Sequence, residues 1–246
     1  MKDWPLSCGV ELVAKTDGFI EQIETVVFPR FPNLVIVKCH FAIGRYQQGM
    51  FDLLGVSCPE VILNSVNKRQ AEFLAGRFCS QQALGLLSIE QTSIDIGKNR
   101  APKWPDNVIG SITHSNQVAM AAVTDTSCYQ YIGIDCERVM EEELANSIAS
   151  TIVTNGELDL LASVAVAFPI ALTFAFSSKE AMFKALYPKV GYYFDFTAAE
   201  IIKVDLPNNL IVIQLVDTLC CDYVRGDIFK CYVHLENHHI VSVIAQ

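Results

Sequence analysis

Two carboxylates set two residues apart carry the chemistry of this chain. Tyr131 to Glu137 reads Tyr-Ile-Gly-Ile-Asp-Cys-Glu, an apolar strand with Asp135 and Glu137 at its end. Side chains two apart on a strand point to the same face, at roughly 6 to 7 Å between Cβ atoms. The oxygens of Asp135 and Glu137 can therefore converge on one hard cation. Gly133 shares that face, which lets a ligand approach the backbone closely. About 40 residues on, Phe176 to Leu186 reads Phe-Ser-Ser-Lys-Glu-Ala-Met-Phe-Lys-Ala-Leu. As a helix it places Glu180 and Lys184 one turn apart on one face. Three carboxylates and a lysine suit a magnesium-dependent phosphoryl-group enzyme. Each half alone has a plainer reading. Asp-x-Glu at a strand end is commonly a solvated turn, and Glu-x-x-x-Lys a surface pair of about a few tenths of a kcal/mol.

In this order and spacing, the Gly-Ile-Asp-x-Glu strand and the aromatic-Ser-x-Lys-Glu-x-x-x-Lys helix resemble the signature of the 4'-phosphopantetheinyl transferases. The likeness is to the surfactin-type branch and, within it, to the enterobactin synthetase component D-like enzymes. Arg69-Gln-Ala-Glu-Phe-Leu-Ala-Gly-Arg77 resembles the N-terminal helix motif of that branch. Ser111-Ile-Thr-His-Ser115 resembles its Ser-x-Ser-His-Ser segment, with Thr113 in place of the second serine.

The resemblance implies an α+β fold of two similar subdomains related by a pseudo-twofold, with the active site in the cleft between them. It implies transfer of the 4'-phosphopantetheine arm of coenzyme A to a serine of an apo carrier protein, with release of 3',5'-ADP. Asp135, Glu137 and Glu180 would hold Mg2+. Glu180, directly or through a metal-bound water, would be the general base, and Lys184 would assist departure of the leaving group. The coenzyme A contacts would come from Lys68, Arg69, Arg77, Arg100, Lys103, His114, Lys179 and Lys184. The partner would be a carrier protein or carrier domain of a fatty-acid, polyketide or non-ribosomal peptide synthase, with secondary-metabolite and siderophore pathways favoured.

Composition fits a globular enzyme. Of 246 residues, 51% are hydrophobic and 18% charged, enough apolar length for a core and too little charge for disorder. The net charge of −9 argues against general nucleic-acid binding, which needs a basic surface. Nine cysteines, an odd number with no Cys-x-x-Cys, read as buried reduced thiols of a cytoplasmic protein. The N-terminus lacks the basic and apolar regions of a secretory signal. The most apolar run, Val164 to Phe176, is broken by Pro169 and is shorter than the roughly 20 residues of a membrane span. It reads as the buried approach to the Glu180 helix. A monomer is expected.

Residues 1 to 33 read as irregular, punctuated by Pro5, Pro29 and Pro32. Leu34 to Phe41 reads as a strand, 42 to 58 as loop and short helix, and Asn67 to Leu87 as a long helix with Phe73, Leu74, Phe78, Leu84 and Leu87 at helical spacing. Lys68, Arg69 and Arg77 decorate that helix, and Lys98, Arg100 and Lys103 form a second basic cluster. A solvated face is the ordinary reading of such bases, but clusters in an acidic chain invite an anion. Trp104 between two prolines reads as a stiff, exposed grip for a flat or anionic group. After an apolar strand from Val118 to Thr124 comes a joint, giving an N-terminal subdomain of residues 1–128 for the nucleotide and a C-terminal one of residues 129–246 for the metal. Glu141 to Glu143 open a helix, Pro188 and Gly191 end the Glu180 helix, and four strands follow, from Glu200, Leu210, Phe229 and Ile240. Two other classes remain open: a magnesium-dependent phosphohydrolase or nuclease using the same carboxylates, and a non-catalytic binding module.

Overall fold

The computed structural model describes the backbone of residues 6–246 and the side chains from Glu11 onward; Pro5 lies outside the described residues. The fold is mixed α+β, in two compact units, 1–130 and 131–246.

The first unit runs α1 (Leu6–Lys15), β1 (Ile20–Val26), β2 (Val35–Phe41), α2 (Met50–Leu53), α3 (Glu60–Leu63), α4 (Asn67–Leu86), β3 (Asp95–Ile96), β4 (Pro102–Lys103), β5 (Val108–Ser115) and β6 (Val118–Asp125). Its antiparallel sheet has the order β1-β2-β6-β5. Helix α4 lies across β2, β6 and β5. It buries Ala71, Leu74, Ala75, Phe78 and Leu84, three or four apart, against Val37, Cys39, Ala119, Ala121 and Val123. Val37 and Cys39 on β2, and Ala119, Ala121 and Val123 on β6, are two apart in the chain, as residues on one face of a pleated strand must be, while β6 is buried along all but its last residue.

The second unit runs β7 (Ile132–Arg138), α5 (Glu142–Ile152), α6 (Asn155–Ala162), α7 (Phe168–Val190), β8 (Ala199–Asp205), β9 (Leu210–Leu215), β10 (Ile228–Glu236) and β11 (His239–Ala245). Its sheet is antiparallel in the order β7-β11-β10-β9-β8, so the first strand pairs with the last. Helix α7 starts earlier than expected. Pro169 lies in its first turn, where the missing N–H costs nothing, so this proline begins the helix instead of interrupting its approach. Gly191, at φ 76°, ends it in the left-handed conformation that glycine tolerates best.

Helix α7 packs on β7 at unusually short range, and Gly133 is the reason. A Cβ there would collide with the Ala181 carbonyl oxygen and come within 2.8 Å of the Ala185 nitrogen. The space above Gly133 is thus filled by helix, not by a ligand, contrary to the expectation from sequence. Gly133→Ala should force the two elements apart and destabilise the protein by about 1–3 kcal/mol, the usual cost of overpacking. Chemical denaturation measures this, and an unchanged midpoint would contradict the packing.

Among the described residues, no helix is long and apolar enough to cross a membrane.

Candidate active site

In the second unit the glycine contact dictates what meets what. Gly133, Asp135 and Glu137 share one face of β7, and α7 lies on that face with Ala181 and Ala185 against Gly133. Lys184 is then next to Asp135. Its ammonium donates to Asp135 Oδ1 at 2.6 Å; the aspartate side chain is 2% exposed and the lysine side chain 25%. Charge-assisted bonds of this length are the strong ones.

Burial alone would pull the Lys184 ammonium down. Asp135, Glu180 and Glu137 together outweigh it, and the group lies above the ordinary lysine range. Glu180 moves the same way for a different reason. Burial raises its carboxyl, Lys184 pulls it back, and the charge of Asp135 raises it further. The four groups assigned from sequence therefore act on one another electrostatically.

Among the described residues, no three Asp, Glu, His or Cys side chains are already placed to share an ion. The donor set nonetheless fits a hard cation. It is all oxygen, it carries excess negative charge, and the cation it now faces is Lys184.

Lys179 is corrected by the structure. Its side chain is 1% exposed, paired with Glu157 Oε1 at 2.8 Å, and it donates to the carbonyls of Ile152 at 2.9 Å and Phe196 at 3.2 Å. An ammonium has three donors, and all three are used, so Lys179 is not a phosphate ligand. Glu157, which the sequence reading passed over, also caps α6. Its Oε2 accepts from the Thr154 backbone while its own N–H donates to Thr154 Oγ1. The signal was present as Thr154-Asn-Gly-Glu157, a capping box.

The run Tyr192-Tyr-Phe-Asp-Phe196 was missed too. Phe194 stacks at 4.9 Å from Phe183, and Tyr193 at 5.4 Å. With Lys179, Glu180, Met182, Asp195 and Phe196 these three aromatics line a small cavity of about 60 Å³ beside Glu180.

In the first unit a cavity of about 240 Å³ gathers Arg69, Arg77, Arg100 and His114, four of the expected coenzyme A contacts. Gly76 opens its floor, since a Cβ there would press within 2.9 Å of Ile112 Cγ2. Arg69 Nη1 lies 3.0 Å from His114 Nε2. A guanidinium only donates, so Nε2 accepts and the ring proton sits on Nδ1, 3.8 Å from Glu72 Oε2. Arg100 is held at φ 66°, a conformation that non-glycine residues seldom adopt and that functional loops tolerate.

Arg77 is the most telling member. It is 6% exposed, its guanidinium stacks 5.0 Å from the Phe73 centroid, and Nη2 donates to the Asp95 carbonyl at 3.3 Å. Nη1 is buried with no hydrogen-bond partner among the described residues. Burial pulls the group down to about 10, with Asp95 opposing and Arg69 assisting. A base whose pKa falls on folding weakens the fold while it is charged, and an anion in the cavity would offset that.

Lys68 and Lys103 stand outside this cavity; both are exposed, and Lys68 sits 3.9 Å from Glu72 one turn away. Trp104 is no exposed grip. Its ring packs on Gly110, where a Cβ would collide with it, and lies half-buried against the core.

A sequence model of the 4'-phosphopantetheinyl transferase N-terminal domain matches residues 59–124, and one of the 4'-phosphopantetheinyl transferase superfamily matches residues 131–242. The chain belongs to the 4'-phosphopantetheinyl transferase superfamily. Similar members of the superfamily include enterobactin synthase component D of Escherichia coli K12, 38% identical over 134 residues, which are 54% of this chain and 63% of that protein. The Salmonella typhimurium protein of that name is 37% identical over 139 residues, 56% of this chain and 57% of the relative. The 4'-phosphopantetheinyl transferase Svp of Streptomyces mobaraensis is 34% identical over 142 residues, 57% of each. The chain spans 57% to 63% of the length of the curated relatives it matches.

Proposed function

We propose that this protein transfers the 4'-phosphopantetheine arm of coenzyme A to a serine of an apo acyl or peptidyl carrier protein, releasing 3',5'-ADP. The observation that carries the reading is the Asp135–Lys184–Glu180 cluster, drawn together by the close packing of α7 on Gly133. Asp135, Glu137 and Glu180 would hold the divalent cation, which when bound offsets charge on the pyrophosphate. Magnesium as that ion, a cytoplasmic setting and action as a monomer complete the reading.

Glu180 takes the proton of the carrier serine hydroxyl, directly or through a water. Its raised carboxyl makes it a better base than an ordinary glutamate. The serine oxygen forms a bond to the β-phosphorus as the bond from that phosphorus to the bridging oxygen breaks. The electron pair leaves with 3',5'-ADP, and Lys184 meets the charge that grows there. The cavity of Arg69, Arg77, Arg100 and His114 supplies cationic and hydrogen-bonding groups for the nucleotide phosphates.

The direct test is to mix the protein with coenzyme A, magnesium and an apo carrier protein and weigh the carrier by mass spectrometry. A gain of one phosphopantetheine supports the reading; an unmodified carrier across acyl and peptidyl types rejects it. Arg77→Ala should raise the KM for coenzyme A by roughly tenfold or more with little change in kcat, because a remote phosphate is held alike in ground and transition states. An equal fall in kcat with KM unchanged would remove Arg77 from the binding site.

A further inference from the structure

We infer that Lys184 acts as an internal counter-ion that competes with the divalent cation for Asp135 and gives way when an anionic nucleotide arrives. This deepens the proposed reaction and rests on its metal assignment. The ammonium sits 2.6 Å from Asp135 Oδ1, the distance of a committed charge-assisted bond. A divalent cation coordinated by that oxygen would lie within a few ångströms of the same ammonium, and like charges at that range repel strongly.

The two partners differ in freedom. Asp135 is on the central part of a paired strand, opposite Ser242 on β11, and its side chain is 2% exposed. The helix cannot shift to relieve the clash, because Ala181 and Ala185 are seated on Gly133. The Lys184 side chain is 25% exposed and has four rotatable bonds. Release therefore falls to the lysine. A bound phosphate offers the ammonium a new anionic partner, which frees Asp135 for the metal. Metal and coenzyme A would then bind with positive coupling, and metal alone would bind weakly.

Mn2+ titration followed by the electron paramagnetic resonance of the free ion tests this on the full chain without a carrier. Lys184→Met should bind Mn2+ about ten- to a hundredfold more tightly than wild type, the ratio expected when one charge-assisted hydrogen bond no longer competes. Lys184→Arg, which keeps the charge, should bind no more tightly than wild type. Coenzyme A should close most of the gap between Lys184→Met and wild type. Equal affinities, or a gap that coenzyme A leaves untouched, would overturn the inference.

Reductive methylation of wild type keeps the test open if Lys184→Met does not fold. Lys184 should react more slowly than Lys189, whose side chain is 48% exposed, and Mn2+ should speed Lys184 alone. A Lys184 rate indifferent to Mn2+ would also overturn it. The carrier-modification assay stands apart: its failure would reject the transferase reading, while the titration would still decide whether ammonium and metal compete.

Discussion

Glu180→Gln should lower single-turnover transfer to an apo carrier by roughly a hundredfold to ten-thousandfold, the range expected when a positioned general base is lost. The amide keeps size and helix propensity but can neither take the serine proton nor serve the cation as a charged ligand. The same substitution should leave the melting temperature unchanged or slightly raised. Burial and Asp135 hold the Glu180 carboxyl above its unfolded value. Such a group stabilises the fold below the unfolded pKa and loses that contribution as pH rises through the folded one. At neutral pH the ionised carboxylate is therefore a net burden, lessened by Lys184, and a neutral amide removes it. Loss of transfer with stability retained would separate this site from a surface ion pair, whose removal would change neither by more than a little. Wild-type transfer by Glu180→Gln would end the assignment.

Much of this arrangement was legible in the sequence because it is local. Same-face spacing on a strand pairs Asp135 with Glu137, one-turn spacing on a helix pairs Glu180 with Lys184, the family resemblance joins the two pairs, and the helix of Arg69 and Arg77 is readable from its apolar repeat. What failed depended on contacts and irregularities that no simple periodicity records. Gly133 was read as room for a ligand, since no local pattern says that Ala181 and Ala185 will fill it. The exposed reading of Trp104 rests on its two prolines, which do not show that the chain turns back to lay the ring on Gly110 a few residues later. Strand β1 was missed among the prolines because a bulge between Ile20 and Gln22 breaks its alternation. Lys179 entered the coenzyme A contacts through the family resemblance, and only the tertiary fold reveals an ammonium whose three donors are spent on Glu157, Ile152 and Phe196.

That buried pair should govern stability more than any other polar contact in the second unit. Lys179→Met should destabilise the protein by about 3–5 kcal/mol, because it strands the Glu157 carboxylate, itself 2% exposed, without its counter-charge. The lower half of that range is the better expectation. Glu157 keeps two backbone donors, Ile201 N–H on Oε1 at 2.8 Å and Thr154 N–H on Oε2 at 2.8 Å. For a two-unit chain of this length, a fall of roughly 10 °C in Tm follows. Burial also pulls the Lys179 ammonium below the ordinary lysine range in spite of Glu157. A base depressed in this way favours the fold above its unfolded pKa and loses that contribution as pH falls through the folded one, so its charge is a cost at neutral pH. The double variant Lys179→Met/Glu157→Gln should therefore recover more than half of the loss. It removes both charges, while the glutamine oxygen still accepts from Ile201. Urea denaturation of wild type, Lys179→Met, Glu157→Gln and the double variant measures the cycle. If the single substitution costs less than about 1 kcal/mol, the pair behaves as an exposed one would, and its three short hydrogen bonds do not hold α7 in place.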